Sequence, residues 1–263
     1  MMVFFACSKN DDFIKSSDEL MLSKDLIEQI GIDHNRALSY VESSLKETKH
    51  IKDIEEFKNH LNNKLEEFYL YESYFKKYPG LLKSNSEKII STKLGSASYR
   101  DTAGKSTEIN DVVIENSELF SEVQVLYLNK IQFILNDDES ELEVVLKQFD
   151  DIKSKASDEL EGIELQSILI AVKVAKQSSI YWEDNLDNWV IQLETNPTER
   201  SWFNWKSVVG ADVAGAVGAA VGAFVVNALP VAGQVAYGSA VLGGAVGSSV
   251  TSGVSQVWDH FIN

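Results

Sequence analysis

Few residues in this chain combine type and spacing in a way that chemistry requires. Ala103-Gly104-Lys105-Ser106 has the ending of a phosphate-binding loop, where backbone amides and a lysine cradle phosphate oxygens. The motif needs a glycine five residues before Gly104. That place holds Tyr99, and Gly95 lies too far back, so the segment reads as a surface loop. The four histidines are His34, His50, His60 and His260. His50 and His60 are ten apart, and two ligands on one helix need three or four, so all four read as exposed helix residues. Asp137 to Glu143 is acid-rich but lacks the glycine and alternating acids of a calcium loop, and reads as helix capping. Phe68, Tyr69, Tyr71, Tyr74, Phe75 and Tyr78 could stack on sugars, yet their helical spacing favours core packing. Glu55-Glu56 and Glu66-Glu67 are paired carboxylates with nothing nearby in sequence to separate their acidities. The chain is therefore expected to be non-enzymatic, with no catalytic residue, no metal and no cofactor.

The remaining reactive residue is the one cysteine. The chain opens MMVFFACSKNDD, an apolar run with Ala6 directly before Cys7. This resembles the lipobox of bacterial lipoproteins, in which the run is cleaved and the cysteine acylated. The basic n-region of a full secretory signal is missing and the apolar run is short. Ser8-Lys9-Asn10-Asp11-Asp12 is similar to the export tag on surface lipoproteins of Bacteroidota-type bacteria. The resemblance covers about a dozen residues. It implies lipidation at Cys7, with two or three palmitate-type chains, and a place in the cell envelope, anchored to the outer membrane and surface-exposed. Each buried methylene contributes about 0.8 kcal/mol, so several chains hold a protein durably.

Charge divides the rest of the chain. The 263 residues carry a formal net charge of −16. All 24 Lys and Arg lie at or before Lys206, and of the 40 acidic residues only Asp212 and Asp259 lie after it. Ten of the 15 glycines follow Lys206. The shift marks a boundary near Asn196-Pro197. The expected layout is a signal remnant over 1–7, a tether over 8–17, an acidic helical domain over 18–196 and a hydrophobic hairpin over 197–263. The acidic balance excludes nucleic acid as a partner, because no basic stripe is present to displace counterions. No small-molecule substrate is legible.

The acidic part reads as five to seven helices. Ser16 and Glu19 have capping-box spacing. Ile54, Phe57, Leu61, Leu65, Phe68, Tyr71, Phe75 and Tyr78 step by three and four, and Pro79-Gly80 is expected to end that helix. Further stretches run from Leu119 to Ile134, from Leu142 to Ile152, from Leu165 to Lys176 and from Ile180 to Leu193. No alternating run insists on a strand, so the fold class is all-α: a helical bundle followed by a Gly/Ala-rich hydrophobic helical hairpin.

The hairpin is the segment Val208 to Leu229, 22 residues with Asp212 as its one charge, then Pro230, then Val231 to Val250 with no charge. At 1.5 Å per residue the first leg reaches about 33 Å, against a hydrocarbon core of roughly 30 Å. Small residues recur every fourth place: Ala214, Gly218 and Gly222; Ala211, Gly215, Ala219 and Ala223; Ser239, Gly243, Gly247 and Thr251; Ala236, Ala240, Gly244, Ser248 and Ser252. The pattern resembles glycine zippers, which let helices approach closely in lipid. Trp202, Trp205 and Trp258, with Arg200 and Lys206, resemble an interfacial belt. The partners expected are a lipid bilayer and a second copy through the small faces. Nine of the 17 residues from Val213 to Leu229 are Ala or Gly, so the legs are weakly hydrophobic and insertion would be conditional. Asp212 is the candidate pH trigger. Three readings stay open: a membrane-associated lipoprotein, a pore-forming antibacterial effector laid out like colicin-type hairpins, and an all-α binding protein with the hairpin as its buried core.

Overall fold

The computed structural model describes residues 21–48, 50–51, 53–93, 109–137, 139–193, 203–225 and 229–261. The side chains of residues 54, 88–93, 193, 221–225, 229–232 and 257–261 lie outside the description. Among the described residues there are nine α-helices and no strand. They are α1 (Lys24–Ser44), α2 (Ile54–Glu67), α3 (Pro79–Lys93), α4 (Ile109–Glu115), α5 (Glu122–Leu135), α6 (Leu142–Glu159), α7 (Gly162–Leu193), α8 (Trp205–Val225) and α9 (Leu229–Phe261). The chain is all-α.

Local signals start most of these helices. Ser23 caps α1, its hydroxyl accepting from the Leu26 amide at 3.3 Å. Asp53 caps α2 by accepting from the amides of Glu55 and Glu56 at 3.0 and 2.9 Å. Ser121 and Gln124 form a reciprocal capping box on α5. Ser16 and Glu19 lie outside the described residues, as do the 103–106 loop, Cys7, Trp202 and the Asn196-Pro197 boundary.

Three expectations change in the structure. The helix from Ile54 does not run to Tyr78. It leaves α geometry after Glu67, continues as a π-turn over Phe68–Glu72 and stops at Ser73. The stop comes from the carboxylate of Asp33, which accepts from the Ser73 hydroxyl at 2.8 Å and the Tyr74 amide at 2.6 Å. Pro79 opens α3 instead of closing α2, because a first-turn residue has no use for the amide hydrogen that proline lacks. The expected stretches 165–176 and 180–193 form one 32-residue helix, α7. Gln177-Ser178-Ser179 does not break it; the Ser179 hydroxyl bonds the Ala175 carbonyl at 2.7 Å and so stays inside the helix.

The aromatic run divides accordingly. Phe68, Tyr69 and Phe75 are buried, whereas Tyr71 and Tyr74 face solvent. Trp182, wholly buried, sits 5.0 Å from Trp189 and 5.3 Å from Phe203, ring centre to ring centre. One continuous core runs from Leu22 to Val254 and includes both legs of the hairpin.

The hairpin legs differ from the expected spans. α8 is described as far as Val225, and α9 contains a break at Gly233, whose φ of 72° suits a residue without Cβ. α9 then continues past Val250 to Phe261. Its serines and threonines enter the core by bonding their own helix: Ser239 to the Val235 carbonyl at 2.8 Å and Thr251 to the Gly247 carbonyl at 2.7 Å. Among the described residues no helix is long and apolar enough to cross a membrane, so the expected pair of spanning legs is not found there.

The small-residue ladders have found partners inside the chain. A Cβ on Gly215 would lie 2.3 Å from the Gly244 carbonyl oxygen, and a Cβ on Gly244 would lie 2.3 Å from the Gly215 carbonyl oxygen. This is the crossing of α8 and α9. The other face of α9 meets α3: a Cβ on Gly243 would lie 2.6 Å from the Leu82 carbonyl oxygen, and one on Gly247 would lie 2.7 Å from Ser86 Cα. A Cβ on Gly238 would strike the Phe75 ring at 2.5 Å, and one on Gly253 the Trp182 ring at 2.6 Å. Gly218 differs, because its Cβ would meet Val112 of α4 at an ordinary 3.7 Å.

This contrast makes a prediction. Gly244→Ala forces two backbones apart and is expected to cost about 1–3 kcal/mol by overpacking, despite a helix-propensity gain of roughly 1 kcal/mol. Gly218→Ala keeps the gain without the clash and is expected to be neutral or stabilising. Urea denaturation of the two variants distinguishes them; equal destabilisation would mean that close approach does not set the cost.

Candidate functional site

The most unusual polar group in the core is Asp212, two turns into α8. It is wholly buried, with 0% exposure. Three other helices bring it partners. Ser178 of α7 donates its hydroxyl to Asp212 Oδ2. Ser249 of α9 donates to the same oxygen at 2.9 Å. His34 of α1 places Nε2 at 3.3 Å, off the line of a straight hydrogen bond. Trp182 Nε1 donates to the Ser249 hydroxyl at 3.3 Å, which fixes that serine. Asp212 Oδ1 has no partner.

Bonding on the far side of His34 decides where a proton must lie. Asn35 gives its amide hydrogen to the Gln177 carbonyl at 3.0 Å, so its Oδ1 is free to accept. That oxygen lies 3.0 Å from His34 Nδ1. With Nδ1 carrying a hydrogen toward Asn35, a bare Nε2 would face a bare carboxylate lone pair to lone pair. The tautomer of His34 therefore bears directly on Asp212: only a hydrogen on Nε2 or on the carboxyl would bridge the 3.3 Å between them. Burial pushes the Asp212 carboxyl above its usual range, while His34 and the two serine hydroxyls pull it back down.

Serine, histidine and aspartate meet here, but not in a nucleophilic order. Both serine hydroxyls donate to the carboxylate and neither to the imidazole. His34, Ser178, Asp212 and Ser249 are all 0% exposed. The cluster can join four helices and exchange a proton; it cannot present a nucleophile to a substrate.

The other sequence candidates fall around this centre. Ala214, Ser239 and Gly243 are buried in the hairpin, as are Gly244 and Gly247, while Gly215 and Gly218 are half-buried. Gly222 and Trp258 lie in α8 and α9, beyond the residues whose surroundings are described. Trp205 is half-buried against the core instead of standing at an exposed belt, with the Lys206 ammonium 5.5 Å from its ring centre. Lys206 is itself buried; it donates to the Asp137 carbonyl and, at 2.9 Å, to the Ser140 carbonyl, closing the loop between α5 and α6. Among the described residues no cluster of His, Cys, Asp and Glu could hold a metal.

Sequence reasoning missed His34, Ser178 and Ser249. His34, expected on an exposed face, is buried because α1 lies against α7 and α9. One signal was present: Asp212 is a lone charge in an apolar helix, and a buried charge needs partners from elsewhere in the chain. Asp33, the residue before His34, is also wholly buried and ties α1 to the 73–74 turn.

The raised carboxyl fixes the sign of a pH effect. A group held above its unfolded value binds its proton more tightly in the native state. Its contribution to stability is complete below the ordinary carboxylate value of about 3.9 and is lost as pH rises through the folded value. Protonation thus eases the burial of Asp212 within the folded bundle as well as in a bilayer. The difference in unfolding free energy between the parent and Asp212→Asn should move toward the parent as pH falls from 7 to 4, by at most about 1.4 kcal/mol per pH unit; parallel curves would reject it. Asp212→Ala strands three partners and should cost about 3 kcal/mol or more at pH 7.

No family model matches the chain, and neither the curated proteins nor the solved structures include a significant match, so the functional reading rests on this geometry.

Proposed function

We propose that the chain is a non-enzymatic, membrane-associated lipoprotein of the cell envelope, anchored through Cys7, with the α8–α9 hairpin stored as the core of its helical domain. The supporting observation is the occupancy of the small-residue faces. α9 meets α8 along one ladder and α3 along the next, and α1 and α7 cover further faces of the hairpin. Among the described residues, most of the hairpin is enclosed in this way and not open to lipid or to a second copy. Contact with the bilayer in this state falls to the acyl chains on Cys7, while the acidic helices stand off an anionic surface.

Insertion or self-association of the hairpin requires α1, α3 and α7 to leave it, which makes any membrane activity conditional. A second reading, a pore-forming effector that sheathes its hairpin before release, is favoured by one observation. The buried Asp212 carboxylate, with Ser178 and the His34 imidazole against it, sits at the meeting of the hairpin with α1 and α7. Disturbing that cluster would loosen sheath and hairpin together.

The test uses protein beginning at Ser8, without the anchor, mixed with dye-loaded liposomes at pH 7.5 and pH 5. The stored-core reading predicts neither flotation nor leakage at pH 7.5, and flotation once the acylated Cys7 is restored. Flotation of the anchorless protein at pH 7.5 would overturn storage. Leakage confined to pH 5 would favour the effector.

A further inference from the structure

A groove lies on the side of the bundle where α1, α6 and α7 meet, with a cavity of about 350 Å³. Its floor is aliphatic: Leu22 just before α1, Ile27 in its first turn, and Leu169 and Val172 from α7. No aromatic ring and no glycine lines it. Its rim carries four lysines, Lys24, Lys153, Lys173 and Lys176, against two carboxylates, Glu28 and Asp150. In a chain of net charge −16 this is a local surplus of two positive charges.

The carboxylates are already engaged. Lys173 bonds Glu28, and Lys176 bonds Asp150 at 2.6 Å. Lys24 and Lys153 are exposed and have no carboxylate within ion-pair distance among the described residues. Both nevertheless stand close enough to act on Glu28, whose carboxyl is held below its usual range first by its bond to Lys173 and then by the charges of Lys153 and Lys24. Of the groove's other polar atoms, the Ser157 hydroxyl bonds the Lys153 carbonyl at 2.9 Å and Gln177 Oε1 accepts from Asn35 at 3.3 Å. Two ammonium groups over an aliphatic trough are what remains to receive a ligand.

We propose that this groove binds a single-chain amphipathic carboxylate of the fatty-acid class, its alkyl chain on Leu22, Ile27, Leu169 and Val172 and its carboxylate between Lys24 and Lys153. The sign of the rim selects an anion. The aliphatic floor, with no aromatic ring to stack a base, selects an alkyl chain over a nucleotide. The volume, at the lower end of ligand pockets, suits one medium-length chain and not a two-chain phospholipid.

Calorimetric titration of the full chain with octanoate, decanoate and dodecanoate, all below micelle formation, tests the assignment. One saturable site is expected, its affinity rising about three- to fourfold per added methylene until the trough is filled. Decanol should bind at least tenfold more weakly than decanoate. Lys24→Gln/Lys153→Gln, which removes two exposed lysines that hold no ion pair among the described residues, should lose tenfold or more for decanoate and nothing for decanol. Lys147→Gln, on α6 outside the groove, should bind as the parent does, and circular dichroism checks that each variant is folded. Absence of saturable binding, equal affinity for decanol and decanoate, or undiminished decanoate binding by the folded double variant would each overturn the proposal.

Discussion

A carboxylate removed from water must be compensated where it lies, and Asp212 receives its compensation from α1, α7 and α9 while sitting on α8. Desolvating an ion costs several kcal/mol even after relaxation, and good geometry is needed to recover it. Two hydroxyls and an imidazole recover part of it here. The requirement runs outward. Ser249 is held by Trp182, and His34 is set by Asn35, which is tied in turn to the backbone of α7. Asp33, next to His34, then fixes the turn that separates α2 from α3. The register of α1 is thereby constrained on two sides by consecutive residues.

The glycines serve the same centre from the packing side. Four helices can bring side chains as short as serine to one carboxylate only if their backbones lie close. Gly215 and Gly244 allow this where α8 crosses α9, and Gly243 and Gly247 repeat it where α9 meets α3. Glycine in a helix costs stability relative to alanine, and the contacts offset that cost only where the approach is real. Close approach is useful in water as much as in lipid, because dispersion depends on distance and not on the solvent outside. A small-residue ladder therefore reports that a helix backbone is approached, without saying by what.

Charge is arranged to match this interior. Among the described residues the acidic side chains lie mostly on solvated faces. The groove between α1, α6 and α7 is a local exception, with lysines over an aliphatic floor.

The sequence determined by itself that the chain is helical, where α5 and α6 lie, and that something must approach the glycine-rich end closely. These follow from local rules: apolar spacing of three and four, the acidic break at 137–141, and the lack of Cβ in glycine. It also isolated Asp212, since one charge in an apolar helix is visible in a line of text. The tertiary structure alone decided what approaches the ladders, that His34 is inside, that α7 runs unbroken through Ser178 and Ser179, and that Pro79 opens a helix. The partners of Asp212 show the reason: they lie 34, 37 and 178 positions away along the chain, and only the folded chain brings them together.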